Sequence, residues 1–70
     1  MEDKITMRAA RVNAGLTQRN IADAMHVSPN TVHFWETGKV IPKPAQFEMY
    51  SRLCGRSSDR IILPKKVTRS

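Results

Sequence analysis

The 70-residue chain has little of what a disulfide-bonded, membrane-spanning or catalytic protein requires. It contains one cysteine, four aromatic residues and no apolar run near the roughly 18 residues that cross a membrane. One cysteine excludes an internal disulfide. A chain this short buries only about 60% of the surface that its unfolded form exposes, which leaves little room for a deep substrate cavity. The length allows one domain, and the small core leads us to expect that it is not an enzyme. Because no basic-then-apolar signal segment stands at its start, we also expect the domain to be soluble and cytoplasmic.

The patterns of metal and catalytic sites are also missing. The soft metal ligands are His26, His33 and Cys54, and no HxxxH or CxxC spacing brings them together. There is no glycine-rich phosphate cradle, no paired carboxylates placed for acid–base chemistry and no Ser-His-Asp order with its supporting motifs. We therefore expect no metal, no cofactor and no small-molecule ligand.

Positive charge, by contrast, is abundant and unevenly placed. The formal net charge is +6 and the calculated pI is about 10.3, values that favour a polyanionic partner, nucleic acid before membrane. Residues 52–70 carry +5 of this charge, whereas residues 16–43 carry +1. The basic end has two open interpretations, a solvated terminus and a segment that contacts phosphates.

The spacing of apolar residues predicts helices throughout and no strand pair. Gly15 ends the first helix, Thr17 caps the second, and Ser28 followed by Pro29 is a cap plus a favoured first helical residue for the third. The predicted helices span residues 5–14, 18–25, 29–36 and 44–54, with a last short turn, capped by Ser57, through residues 59–62. We divide the chain into a domain at 1–63 and a basic tail at 64–70.

The turn between the second and third helices is so short that the helices must cross steeply, which leaves one face of the third helix available. With Val32 taken as the inward direction, Trp35 also lies on the core side, whereas Asn30 and Phe34 lie opposite. Asn pairs with two groups of adenine, and an apolar ring contacts the methyl of thymine. The alternative for Phe34 is that its ring folds down onto a neighbouring apolar surface.

These residues resemble the phage Cro and repressor-like helix-turn-helix family, also called the XRE type. The resemblance covers residues 5–62. The matching residues are Arg11, "GLTQ" at 15–18, "IA" at 21–22, "VSPNTV" at 27–32, "WETGK" at 35–39, Pro42, "LCG" at 53–55 and Asp59. The resemblance implies a compact, five-helix, all-α, lambda-repressor-like domain of bacterial or phage type. It further implies a transcriptional regulator, by expectation a repressor, that binds double-stranded DNA as a homodimer on a two-fold operator.

The resemblance also implies roles for individual residues. The base-facing positions of the family fall on Ser28, Pro29, Asn30, Thr31, His33 and Phe34. The phosphate-contacting positions fall on Gln18, Arg19, Lys39 and Lys43. Such phosphate contacts would position the protein without specifying sequence.

Arg11 and Glu36 match family positions that tend to form an internal ion pair. The residues themselves agree with this, because Arg11 lies on an otherwise apolar helix face and needs a partner there. We expect the pair to be partly buried and structural. The chain departs from the family at His26, where a glycine is most common. The departure affects the turn, because the left-handed backbone conformation is less easy for histidine than for glycine.

Three consecutive apolar residues, Ile61, Ile62 and Leu63, cannot all face one small core. We favour a dimer surface formed by some of them, and the alternative is that the tail folds back to cover them. A competing function also stays open, a protein-binding adaptor or antitoxin-like module with only secondary affinity for DNA, because the helix-turn-helix segment itself carries so little charge.

Overall fold

The computed structural model describes residues 4–63, which form a small, mostly helical domain. In chain order the elements are strand β1 (Ile5–Thr6), helices α1 (Met7–Asn13), α2 (Gln18–Met25), α3 (Pro29–Thr37) and α4 (Pro44–Leu53), a 3₁₀ turn (Ser58–Arg60) and strand β2 (Ile61–Ile62). Within these residues no helix is long and apolar enough to cross a membrane.

The expectation of five helices and no strands is wrong at both ends of the domain. Residues 4–63 contain four α-helices, and the two short strands pair in parallel, Ile5 with Ile61 and Thr6 with Ile62. Thr6 adopts an extended conformation and its Oγ1 accepts a hydrogen bond from Ala9 N at 3.0 Å. Since this cap fixes where α1 begins, residues 5 and 6 are left extended and pair with the segment that follows the 3₁₀ turn.

Side-chain caps place α2 and α3. Thr17 Oγ1 accepts from Asn20 N at 3.0 Å while Asn20 Oδ1 accepts from Thr17 N at 2.9 Å, a reciprocal capping box that starts α2. Ser28 Oγ accepts from Thr31 N at 3.2 Å, and Pro29 occupies the first turn of α3, where its missing N–H costs nothing. Only two residues, Val27 and Ser28, separate His26 at the end of α2 from α3.

His26 takes the left-handed conformation that the short turn requires. Its φ and ψ are 59° and 42°, and it is the non-glycine residue with positive φ among residues 4–63. This conformation brings a side chain's Cβ close to the following carbonyl, at a cost of roughly 1–2 kcal/mol for most residues, which glycine escapes.

Replacing His26 with glycine is therefore expected to stabilise the domain by about 1 kcal/mol, which for a domain of this size raises the melting temperature by about 4–8 °C. His26→Ala is the matched control and is expected to lower it, because alanine carries a Cβ without the tolerance of histidine for this conformation. Thermal unfolding followed by circular dichroism measures both, and equal melting temperatures for the glycine and alanine variants would contradict the account of the turn.

The core lies where the four helices and the strand pair meet. Its buried members are Met7, Ala10, Ile21, Ala22, Val32, Trp35, Tyr50, Cys54 and Ile61. Ile61, one of the three residues from which a dimer surface was predicted, pairs with Ile5 and is only 3% exposed, so it belongs to the core. Ile62 and Leu63 are each 46% exposed. The predicted basic tail at 64–70 lies outside the described residues.

Candidate nucleic-acid interface

Helix α3 has one buried and one accessible side. Val32 and Trp35 are fully buried against α2 and the rest of the core, whereas Asn30 and His33 are exposed and Phe34 is half-buried. This arrangement is the one that the helical spacing predicts, and it leaves the outer side of α3 free along its length.

The N-terminal turn of α3 offers a restricted set of hydrogen-bonding groups. The hydroxyls of Ser28 and Thr31 lie 3.0 Å apart and bond to each other while Ser28 caps the helix. Asn30 is exposed, and its side-chain amide has no hydrogen-bond partner within residues 4–63. The Asn30 amide is therefore free to bond to an external partner.

Phe34 is neither fully exposed nor folded into the core. The Nζ of Lys39 lies 5.1 Å from the centroid of its ring, within the range of a cation–π contact. The ring of His33 lies 6.0 Å away, centroid to centroid, tilted by 55°. The structure thus places Lys39, a predicted phosphate contact, against Phe34, a predicted base contact.

The other predicted phosphate contacts surround the start of α2 and the loop after α3. Arg19 and Lys43 are exposed, whereas Gln18 is half-buried and its Nε2 donates to Glu36 Oε1 at 3.1 Å. The backbone N–H groups of Gln18 and Arg19 have no acceptor within residues 4–63, as is usual for the first turn of a helix. Two free N–H groups at the positive end of α2 are suited to bind an anion.

Glu36, on the inner side of α3, accepts hydrogen bonds from residues of the three other helices. Its carboxylate accepts from Arg11 Nε at 2.7 Å, Arg11 Nη2 at 3.1 Å, Gln18 Nε2 at 3.1 Å and the Tyr50 hydroxyl at 2.6 Å. Its side chain is only 2% exposed, and that of Arg11 is 10% exposed. The structure therefore brings Arg11 and Glu36 together as a bidentate pair that ties α3 to α1 and, through Gln18 and Tyr50, to α2 and α4.

The network sets the protonation of its members. Burial alone raises the pKa of Glu36, but hydrogen bonds from Arg11, Tyr50 and Gln18 outweigh it, so the pKa of this carboxyl lies below its usual range. The hydrogen bond to Glu36 also raises the pKa of the Arg11 guanidinium against the opposing effect of burial. Both groups are therefore charged at neutral pH, and the pair is ionic.

Sequence reasoning gave Tyr50 no role in this network and gave Gln18 only a phosphate contact. The pattern places Tyr50 on the inner face of α4, but its hydroxyl lies 2.8 Å from Met7 O and 2.6 Å from Glu36 Oε2. A phenol has one proton to donate, so these two acceptors share it. Burial, followed by the nearby Glu36 carboxylate, raises the pKa of Tyr50. The available signal was that a buried tyrosine needs a hydrogen-bond partner.

Cys54, His26 and His33 lie in different parts of the domain. Cys54 is buried, and burial together with the Glu36 carboxylate raises the pKa of its thiol to about 11. His26 lies in the turn and His33 on the outer side of α3, both exposed. Among residues 4–63 no three His, Cys, Asp or Glu side chains cluster as metal ligands would.

Comparison with known protein families matches residues 5–61 to the helix-turn-helix domain. The match spans both helices of the turn, the capped N-terminus of α3, the Arg11–Glu36 pair and α4. Comparisons with curated proteins and with solved structures found no match. Since the family match covers most of the chain, the protein belongs to the helix-turn-helix domain family.

Proposed function

We propose that the protein is a sequence-specific, double-stranded DNA-binding transcriptional regulator of the Cro and repressor-like (XRE) type, acting as a repressor in the cytoplasm without enzymatic activity, cofactor or small-molecule ligand. The observation that carries the proposal is the exposed, unpartnered amide of Asn30 at the start of a helix whose opposite side is buried. Helix α3 then enters the major groove, which admits one α-helix, with that amide leading.

In this arrangement the outer side of α3 reads base edges. Asn30 pairs with adenine through its amide oxygen and nitrogen, and the Phe34 ring contacts a thymine methyl. Ser28 and Thr31, whose hydroxyls already bond to each other, contribute mainly to the shape of the helix start, with Pro29 beside them. His33 lies on the flank, where it reaches bases or nearby sugar-phosphate groups.

Phosphates are bound on both sides of α3. The free N–H groups of Gln18 and Arg19, with the Arg19 guanidinium, take one phosphate at the start of α2, and Lys39 and Lys43 take others from the loop after α3. These contacts supply salt-dependent affinity without sequence preference.

The protein acts on DNA as a homodimer. Ile62 and Leu63 remain exposed at the end of the described residues and supply apolar surface for the second copy. A two-fold dimer would place two copies of α3 about 34 Å apart, one helical turn of DNA.

Selection from a random duplex library, carried out at low and at moderate salt, tests the proposal. Recovery of a two-fold symmetric motif with half-sites about one helical turn apart is the expected result. Sequence-blind recovery that vanishes as salt rises would overturn it and favour the protein-binding adaptor, for which the exposed apolar side chains of Val12 and Met49 offer surface. Binding through several phosphates weakens with a log–log salt slope near −0.9 for each phosphate neutralised, whereas an apolar protein interface responds little.

Two single substitutions separate base reading from phosphate binding. Asn30→Ala is expected to change the preferred base at one position of the site, at a cost of about 1–3 kcal/mol for the correct sequence. Lys43→Ala is expected to weaken binding to all sequences by the same factor and to reduce the magnitude of the salt slope by about one. Binding isotherms on the selected site and its single-base variants measure both, and a uniform loss in both variants would contradict the assigned roles.

A further inference from the structure

The chain reverses direction at the end of α3 in a way that returns Lys39 to the last turn of the helix. Gly38 is left-handed with φ 82°, Lys39 N donates to Phe34 O at 3.0 Å and Gly38 N donates to Trp35 O at 3.3 Å. These are the two hydrogen bonds of a Schellman motif. In this motif the residue after the glycine packs on the residue five positions before it, here Lys39 on Phe34.

That packing position is usually filled by an apolar pair, and in this protein it is filled by a cation over a ring. Lys39 Nζ lies 5.1 Å from the Phe34 centroid. The Phe34 carbonyl also accepts from Val40 N at 3.2 Å and from Thr37 Oγ1 at 3.3 Å, so the backbone on both sides of the contact is fixed. The ring is half-buried, and Lys39 lies over one of its faces.

We propose that Lys39 is a positioning residue for Phe34, holding the ring in the orientation in which it reads a base, so that Lys39 determines sequence preference as well as affinity. This inference rests on the proposed function. It differs from the role that the family resemblance gives to Lys39, because a phosphate contact alone lowers affinity for every sequence equally. Loss of a positioning contact instead lowers the difference in affinity between the right and the wrong base.

Lys39→Ala is the variant to measure, since alanine keeps the backbone N–H that caps α3 and removes the ammonium and its stem. Its matched control is Lys43→Ala, which removes a lysine of the same loop that contacts no aromatic ring within residues 4–63. Lys39→Arg is the rescue variant, because a guanidinium also stacks on an aromatic face. Thermal unfolding of each variant verifies that the fold is retained.

The first measurement needs no DNA. A ring current shifts protons above an aromatic face upfield, so the Lys39 ε-methylene protons are expected upfield of their ordinary position in the wild type and at that position in Phe34→Leu. Ordinary shifts in the wild type would overturn the inference and leave the proposed function untouched.

The second measurement uses duplexes of the selected site in which thymines are replaced one at a time by uracil, which removes the methyl. Wild type is expected to discriminate at one such position and Phe34→Ala is expected to lose that discrimination. Lys39→Ala is expected to lower it by about two- to fivefold, the strength of an exposed cation–π contact, and Lys39→Arg to restore it. Lys43→Ala is expected to leave it unchanged while weakening binding overall.

The outcomes are separable. A uniform loss in Lys39→Ala with unchanged discrimination would make Lys39 a phosphate contact only and would overturn the inference while the proposed function stands. A further loss of discrimination when Lys39→Ala is added to Phe34→Ala would also overturn it, because the lysine would then act without the ring. A wild-type protein with no base preference would overturn the proposed function and this role together.

Discussion

Arg11→Ala is expected to lower the free energy of unfolding by about 3–5 kcal/mol, because it leaves the buried Glu36 carboxylate without its counter-ion. The Glu36 side chain is 2% exposed and would keep only the donors of Gln18 and Tyr50. A folded chain of 70 residues has a total stability of roughly 3.5–10 kcal/mol, so the expected loss is a large part of it. Urea unfolding at neutral pH measures the change.

We propose that the role of the pair is structural, and the same variant tests that as well. At a temperature where Arg11→Ala remains folded, its base preference on the selected DNA site is expected to match that of the wild type. An unchanged melting temperature, or an altered preference in a protein of unchanged stability, would contradict the structural role.

A double replacement separates the pair's net contribution from the cost of an orphaned charge. Arg11→Met with Glu36→Leu removes both charges and keeps similar volumes, and such replacements of buried ion pairs are often neutral or stabilising. The Tyr50 hydroxyl, which lies 2.8 Å from Met7 O in the wild type, would still have this carbonyl as an acceptor. We expect the double variant to regain most of the stability that Arg11→Ala loses. A double variant as unstable as the single one would show that the pair itself, by its geometry, holds the helices together.

The network explains how a short chain holds α3 firmly in place while the outer side of this helix stays accessible. Helix α3 has nine residues, too few to be stable alone in water. Its inner side packs through Val32 and Trp35, and Glu36 fixes its C-terminal half to α1, α2 and α4. Since Gln18 joins the start of α2 to Glu36, a phosphate bound there would be held in a fixed relation to α3.

Local chemistry made much of this fold predictable. Thr17, Ser28 with Pro29, and the glycines after α1, α3 and α4 mark helix ends by short-range rules, and the helical period of α3 separates Val32 and Trp35 from Asn30. These signals lie within a few residues of the structure they determine.

What stayed unpredicted depends on contacts between distant residues. Two-residue strands have no periodicity to detect, and their partners, Ile5 and Ile61, are joined only by the completed fold. The bond from Tyr50 to Met7 O spans 43 positions. Lys39 lies over Phe34 because the chain reverses direction at Gly38. The helical spacing shows which residues face outward, but it does not show this reversal.

Acid is expected to destabilise the domain through Glu36. Its pKa in the folded state lies below the value of about 4.3 that a glutamate has in an unfolded chain, because the hydrogen bonds of Arg11, Tyr50 and Gln18 outweigh its burial. Between the two pKa values the unfolded state binds the extra proton. The stabilisation is therefore complete above the unfolded pKa and is lost as the pH falls through the folded one, with a slope of up to about 1.4 kcal/mol per pH unit.

Urea unfolding of the wild type from pH 7 to pH 2.5 measures this slope, and Glu36→Gln assigns it. The variant starts from a lower stability, since the Arg11 charge is left unpaired. Its stability is expected to change less with pH, because the number of protons taken up on unfolding in acid falls by about one. Asp59→Asn is the control. The Ser57 hydroxyl lowers the pKa of Asp59, but that carboxyl is fully exposed, so solvent screens its contribution and most of the wild-type slope is expected to remain. A slope that is unchanged in Glu36→Gln and reduced in Asp59→Asn would place the acid sensitivity at the surface and would mean that Glu36 is not the charged centre joining the four helices.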